Sequence, residues 1–185
     1  MASSTKYGFL VQNTEYDGGT AWASTGNITV DDSSFASVSL SAGTNSKNLE
    51  ILLFPFAIPS GSTIDGIEMN INAYASGSSC DWLDAYLIAG FGVLDSDDLS
   101  DSAGNPAVAT SETVKTFGGP TELWGSTWTD ADINAGGFGA SIEVRNESGS
   151  TRTVYVDYIT LTVYYTAPVG GSGVANSAMM LGCGI

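Results

Sequence analysis

The chain has 185 residues, of which 43% are apolar and 14% charged, and 23 are glycine. This length predicts one domain, or one domain followed by a tail. With 20 acidic against 5 basic residues the net charge is −15, which argues against nucleic acid as a partner because its phosphates would be repelled. The chain contains no histidine, which excludes Ser-His-Asp and Cys-His catalysis.

The cellular compartment is indicated by the apolar runs and the cysteines. No apolar run approaches the length of a membrane span, and the first residues lack the basic-then-apolar pattern of a signal peptide. Cys80 and Cys183 are the only cysteines, too few for a four-thiolate zinc site, and their separation leaves open whether they pair. We therefore expect no membrane partner and folding in a cytoplasm.

Short strands separated by Gly, Asn and Ser turns recur along the chain, and one helical turn is predicted at residues 130–134. The strands are predicted at residues 6–11, 27–30, 35–40, 48–58, 64–75, 81–91, 107–110 and 113–117. Such a series of short strands without a long amphipathic helix is typical of an all-β protein. We predict a β-sandwich of jelly-roll or Greek-key type.

Residues 137–165 contain the strongest strand signal and are predicted to form a β-hairpin. In the second arm Val154 and Val156 alternate with Tyr155 and Asp157, and β-branched and aromatic residues continue to the end of the arm. Residues 146–150 have turn chemistry. Because the second arm is apolar on much of both faces, we expect it to be a central strand.

The last 19 residues differ from the rest, so we divide the chain into a sandwich domain at 1–166 and an extension at 167–185. Residues 170–173 (GGSG) predict a flexible linker. The apolar end beyond it needs a groove in which to bury itself, which indicates an assembly contact. The predicted partner-binding residues are Val174, Met179, Met180, Leu181 and Ile185.

Four acidic residues are weak candidates for Ca²⁺ ligands, since clustered carboxylates suit a hard cation. They lie in one loop and are Asp95, Asp97, Asp98 and Asp101. The loop lacks the glycine and the distal glutamate of an EF-hand, so a solvated acidic loop is the favoured interpretation. No other cofactor is expected. No pair of carboxylates is singled out for glycoside cleavage, and we predict that the protein is not an enzyme.

Three of the four tryptophans, Trp22, Trp124 and Trp128, could line a sugar-binding platform, because apolar sugar faces stack on aromatic rings. In β-sandwiches such residues are more often core and loop anchors. We favour the core interpretation and keep the glycan contact as the alternative.

Two stretches and the second arm of the predicted hairpin together resemble a known family. The stretches are FPFAIPSGSTIDGI at 54–67 and FGGPTELWGSTWTDADIN at 117–134, and the second arm contributes VDYITLTVY at 156–164. Over about half of the chain they are similar to a β-sandwich module of tailed-bacteriophage virion proteins, which serves in capsid decoration, head fibres and tail appendages.

This resemblance implies a virion structural protein made in the cytoplasm of the bacterial host. We expect a capsid decoration or cement protein that binds the major capsid protein or other virion subunits. It would stabilise the shell as a homo-oligomer, for example a trimer, through its N-terminal segment and its tail. The alternative is a carbohydrate- or host-receptor-binding module of a tail or head appendage. Sugar binding would need the tryptophans exposed, whereas decoration would need them buried and the termini extended into neighbours.

Overall fold

The computed structural model describes residues 1–14, 18–90, 93–94 and 96–169, with only the backbone of 93–94 described. Within these ranges, ten strands form two antiparallel sheets, accompanied by two short helices and a 3₁₀ turn at Thr25–Ile28. The strands are β1 (Ala2–Tyr7), β2 (Leu10–Thr14), β3 (Ala36–Leu40), β4 (Asn48–Leu52), β5 (Thr63–Ala75), β6 (Cys80–Gly90), β7 (Val93–Leu94), β8 (Thr113–Gly118), β9 (Gly139–Asn146) and β10 (Arg152–Thr166). The helices are α1 (Leu99–Ser102) and α2 (Asp130–Asn134).

The two sheets have interleaved connectivity. Sheet A has the order β1-β10-β5-β8, with β3 also paired to β10, and sheet B has the order β2-β4-β9-β6-β7. The connections β4–β5, β5–β6, β8–β9 and β9–β10 each cross from one sheet to the other. Side chains from the inner faces of both sheets form one core. The protein is therefore an all-β sandwich of jelly-roll type, as predicted.

The predicted hairpin at residues 137–165 is wrong. Its first arm, β9, lies in sheet B, and its second arm, β10, lies in sheet A. The connection is held by Asn146, whose Nδ2 donates to the carbonyl oxygens of Leu40, Ser41 and Ser150. Alternation in the sequence shows only that each arm has one face towards the core. Two arms in opposite sheets meet this condition as well as two arms paired in a hairpin, so the sequence could not distinguish them.

The prediction of a central position for β10 is confirmed, but its two faces were assigned wrongly beyond Val156. β10 pairs with β5 on one side and with β1 and β3 on the other. A β-bulge between Val156 and Tyr158 inserts an extra residue, so that Ile159 rather than Tyr158 continues the core-facing series of Val154 and Val156. Regular alternation cannot reveal such a shift.

Several smaller predictions were tested by the described residues. The predicted strand 48–58 ends at Leu52, because Leu53 adopts a left-handed φ of 59°. The capping box between Thr129 and Asp132 is present and opens α2. The N-terminal segment forms β1 at the edge of sheet A, so its backbone pairs with β10 of its own domain.

The extension beyond the sandwich falls mostly outside the described residues. The last strand ends at Thr166. The predicted partner-binding residues Val174, Met179, Met180, Leu181 and Ile185, and also Cys183, lie outside the described ranges. Cys80 is buried and has no disulfide partner among the described residues. In the part of the chain that is described, no helix is long and apolar enough to cross a membrane.

Candidate functional site

The three tryptophans that were kept as possible glycan contacts are buried in the core. Trp22, Trp124 and Trp128 are 4%, 0% and 6% exposed. Each indole N–H is satisfied internally, by the carbonyl oxygens of Lys47, Ile67 and Leu123 respectively, at 2.8–2.9 Å. These values agree with the favoured core interpretation, because a ring buried in this way has no free face on which a sugar could stack.

The acidic loop has a structural role at α1. Oδ1 of Asp98 accepts hydrogen bonds from the backbone N–H of Ala85 and from both the N–H and the hydroxyl of Ser100, at 2.7–2.9 Å. Asp98 is thus the N-cap of α1. Asp101 is exposed in the same helix, Asp97 is exposed before it, and Asp95 lies outside the described residues. Among the residues described, no group of three acidic, Cys or His side chains is placed to hold a metal ion.

The face of sheet B that points away from the core carries mainly polar side chains, although several of them are buried. Leu49 and Ile51 of β4 and Ile142 of β9 point into the core, so their neighbours in sequence point outward. Seven outward side chains from β2, β4, β6 and β9 define what we call the polar face. They are Gln12, Asn48, Glu50, Asp84, Tyr86, Ser141 and Glu143.

Strand register aligns these side chains in rows across the sheet. Glu50 lies opposite Gln12 on one side and Ser141 on the other, and Ser141 lies opposite Tyr86, so that one row crosses four strands. In the next row Glu143 lies opposite Asp84. Directly opposed side chains of antiparallel strands have Cβ atoms about 5 Å apart, so these groups form a continuous array.

Hydrogen bonds connect the rows of the polar face. Nε2 of Gln12 donates to Oε2 of Glu50 at 2.7 Å. Nδ2 of Asn48 donates both to Oδ2 of Asp84 at 3.2 Å and to Oγ of Ser141 at 3.3 Å. Rotamers held in this way on a rigid sheet present donors and acceptors at fixed positions.

The degree of burial varies across the polar face. Asn48, Glu50, Ser141 and Glu143 are at most 1% exposed, whereas Asp84 and Tyr86 are half-buried. Burying ionisable groups is costly, and such groups usually serve a function or a network when they are kept. The centre of the face is therefore a desolvated polar floor with a more accessible rim.

The electrostatic environment keeps Tyr86 a hydrogen-bond donor. Burial, together with the carboxylates of Asp84, Asp98, Asp101 and Glu143, raises the pKa of the Tyr86 hydroxyl to about 12. The phenol consequently stays protonated at neutral pH. It places a neutral donor and an aromatic ring beside a row of carboxylate acceptors.

A cleft of about 480 Å³ lies where β9 continues beyond the polar face. It is lined by Arg145, Asn45 and glycine-rich loops at 18–20 and 43–44. Arg145 points to the same side of β9 as Glu143, and its Nε lies 2.8 Å from Oε1 of Glu147. Arg145 thus places a basic side chain at the end of the polar face.

The polar face was missed by sequence reasoning, although part of its signal was visible. The alternation of Ser141 and Glu143 with Ala140 and Ile142 is evident in the chain. The pairing that brings β2, β4 and β6 beside β9 is not, because strand order depends on contacts distant in sequence. The predicted strand at 48–58 is apolar at most of its positions, which concealed the role of Glu50 within it.

Comparison with known proteins gives similarity in structure only. No family model matches the chain, and no curated protein matches its sequence. A CBM4 structure is 15% identical with a TM-score of 0.42, covering 71% of this chain and 85% of that one. The second N-terminal cellulose-binding domain of Cellulomonas fimi β-1,4-glucanase C is 13% identical with a TM-score of 0.42, covering 87% and 97%. An exo-β-agarase is 6% identical with a TM-score of 0.33, covering 92% and 26%. With TM-scores below 0.5 and identities of 6–15%, these similarities assign neither a family nor a function to this chain.

Proposed function

We propose that the chain is a carbohydrate-binding module and that the polar face is its binding surface. The observation that carries this proposal is the row formed by Gln12, Glu50, Ser141 and Tyr86 across four strands. Each sugar ring carries several neighbouring hydroxyls that both donate and accept hydrogen bonds. The accessible groups of the face are Gln12, Asp84 and Tyr86, and the completely buried Glu50 fixes the Gln12 amide from below. Amide, carboxylate and phenol groups held on a rigid sheet are complementary to such hydroxyls.

The charge of the face restricts the class of glycan. Glu50, Asp84 and Glu143 are all carboxylates, and acidic residues outnumber basic ones by 20 to 5 in the chain. A polysaccharide carrying uronates or sulfates would be repelled. The proposed ligands are therefore neutral oligosaccharides, whose hydroxyls donate to the accessible carboxylate of Asp84, while Glu50 and Glu143 remain buried beneath.

Isothermal titration with a panel of soluble neutral oligosaccharides, together with depletion on insoluble polysaccharides, tests this function. Tyr86→Phe removes only the phenol donor, and we expect it to weaken binding about fivefold to tenfold, the usual effect of one lost hydrogen bond to a ligand. The matched control is Tyr164→Phe, whose hydroxyl donates to Glu68 at 3.2 Å on sheet A. Equal binding by both variants, or no binding of any neutral glycan, would refute the proposal.

A second candidate, capsid decoration, rests on the resemblance to phage virion modules. The burial of Trp22, Trp124 and Trp128 meets one of its two requirements. The partner, the oligomeric state and the virion location remain proposals. Binding to purified undecorated capsids, compared between the full chain and a version ending at Thr166, is the test. Decoration predicts that the full chain binds and protects the shells against heat while the truncated version does not.

A further inference from the structure

The outward face of sheet A is rich in aromatic side chains and has a different character from the polar face. Six rings from β1, β5, β10 and the residue before β3 define what we call the aromatic face. They belong to Tyr7, Phe35, Tyr74, Tyr155, Tyr158 and Tyr164, and all six are half-buried. They lie opposite the core-facing residues of the same strands, such as Ile159 and Ile71, which are completely buried.

The rings of the aromatic face form two contact groups. Tyr74 and Tyr155 are directly opposed across β5 and β10, and their rings stack at 4.7 Å with an interplanar angle of 16°. Phe35 packs edge-on against both, at 5.4 and 6.2 Å. Tyr7 and Tyr158 form a separate edge-to-face pair at 5.8 Å. These contacts hold the rings upright on the sheet, so that the surface is pre-organised.

Polar groups between the rings carry negative charge. Glu68 accepts hydrogen bonds from Nδ2 of Asn70 at 2.7 Å and from the Tyr164 hydroxyl at 3.2 Å. Glu112 accepts from Nδ2 of Asn72 at 2.9 Å. Oδ1 of Asn72 is buried and receives no hydrogen bond from the described part of the chain.

None of the five basic residues of the chain belongs to this face. Three of them pair with core-facing residues: Lys6 with Leu161, Lys115 with Ile71 and Arg152 with Leu40. Because directly opposed residues of antiparallel strands point to the same side of the sheet, these basic side chains leave sheet A on its core side, away from the aromatic face. Lys47 and Arg145 belong to sheet B and its borders. Burial raises the pKa of Tyr7, Tyr158 and Tyr164, and nearby carboxylates raise it further. Asp31 acts on Tyr7 and Tyr158, and Glu68 acts on Tyr164, so carboxylates lie close to these rings.

We propose that the aromatic face docks a basic protein surface, with arginine or lysine side chains seated over the tyrosine rings and beside Glu68 and Glu112. Cations are attracted to the faces of aromatic rings, and carboxylates at the ring edges strengthen that attraction. Tyrosine and asparagine together are also the residues that protein-recognition surfaces favour. This inference does not depend on glycan binding, which it places on the opposite sheet.

Charge argues against other occupants of the aromatic face. A second copy of the chain would bring two acidic faces together, each on a protein of net charge −15. Like-charge contacts across an interface cost several kcal/mol. Nucleic acids and acidic glycans would be repelled for the same reason. A basic protein surface is complementary in both charge and ring chemistry.

The test measures binding of a fluorescent arginine-rich peptide by anisotropy, with the citrulline peptide of the same length as the uncharged comparison. Two double variants each remove two negative charges. One combines Glu68→Gln with Glu112→Gln on the aromatic face, and the other combines Asp101→Asn with Asp130→Asn elsewhere. We expect the first pair to weaken binding about tenfold and the second less than twofold, since close charge pairs are coupled more strongly than remote ones. Tyr158→Thr, which keeps a strand-forming residue, should also weaken binding, and the melting temperature of each variant verifies folding.

Several outcomes would overturn the proposal. Equal losses in the two charge-neutralised pairs would show that net charge alone attracts the peptide. Equal affinity for the citrulline peptide would show that the face does not select cations. If a neutral oligosaccharide binds the wild type and Tyr86→Phe but not Tyr158→Thr, the aromatic face binds a glycan instead of a basic protein. Absence of glycan binding in all variants would count against the proposed function of the polar face and leave the docking proposal unaffected.

Discussion

The side-chain amide of Gln12 donates to Oε2 of Glu50 at 2.7 Å, joining an exposed residue of β2 to a completely buried carboxylate of β4. This bond connects the accessible edge of the polar face to its desolvated floor. Hydrogen bonds to a buried charged group contribute more to stability than those between neutral groups, because an ionised acceptor is costly to leave short of donors.

Gln12→Ala should therefore lower the free energy of unfolding by about 1–3 kcal/mol, the usual range for a hydrogen bond to a charged group. Urea denaturation followed by tryptophan fluorescence measures the change. The control is Ser39→Ala, an exposed residue of β3, which should change stability by less than about 0.5 kcal/mol. Equal stability of the two variants would show that Glu50 does not depend on the Gln12 amide.

Trp124→Phe tests whether this tryptophan serves the core rather than a ligand. Its ring is completely buried, and its Nε1 donates to the carbonyl oxygen of Ile67 at 2.8 Å. Loss of this buried hydrogen bond and of ring volume should cost about 2–4 kcal/mol. Glycan affinity of the folded variant, measured by titration below its melting temperature, should be unchanged. A selective loss of affinity with normal stability would contradict the core assignment.

Gly66→Ala tests a close approach that positions the loop carrying Trp124. A Cβ atom at Gly66 would lie 2.3 Å from the carbonyl carbon of Pro120 and 2.4 Å from the carbonyl oxygen of Gly119, both backbone atoms. Forcing β5 and this loop apart should cost about 3 kcal/mol or more. Gly90→Ala is the matched control within a strand, because a Cβ there would meet no atom of the described residues within 4 Å. Comparable melting temperatures of the two variants would refute this reading of the loop.

The buried carboxyl of Asp157 should make the stability of the fold depend on pH. It lies at the bulge of β10 and is completely buried, and neither carboxyl oxygen has a partner in hydrogen-bonding geometry among the described residues. Burial raises the pKa of its carboxyl; the backbone of Asp32 opposes this effect in part, and the Asp31 carboxylate adds to it. Because the folded state then holds the proton more tightly than the unfolded state, stability falls as the pH rises from the unfolded pKa through the folded one.

Asp157→Asn removes this cost, so we expect a higher melting temperature near pH 7 in buffer containing a chelator. The gain should correspond to about 1–3 kcal/mol, the usual cost of a buried polar group without a partner. It should shrink as the pH is lowered towards about 3, where the wild-type carboxyl is protonated in both states. Asp101→Asn, at an exposed position, is the control. A lower melting temperature of Asp157→Asn near pH 7 would show that the ionised carboxylate is stabilised by a donor or cation.

The strands themselves were largely predictable, because their signals are local. β5 and β10 are 13 and 15 residues long, and both were predicted from the sequence close to their observed bounds. The capping box of α2 was equally readable, since Thr129 and Asp132 are three residues apart. Burial of Trp22, Trp124 and Trp128 followed from the general behaviour of aromatic residues in β-sandwiches.

The candidate site was not predictable in the same way. Gln12, Glu50, Ser141 and Tyr86 come from four strands, and their common row exists only through register between strands far apart in the chain. The aromatic face is a similar case, since Tyr7 meets Tyr158 only because β1 pairs with β10. The sequence by itself determined most of the strands and that they enclose an apolar core, because alternation and turn chemistry act between near neighbours. The predictions of strands at 27–30 and 107–110 were wrong: the first overlaps the 3₁₀ turn Thr25–Ile28, and the second is not one of the ten strands. Only the tertiary structure decided which sheet each strand joins, where β10 bulges and which polar and aromatic side chains share a face, because those choices depend on packing across the whole sandwich.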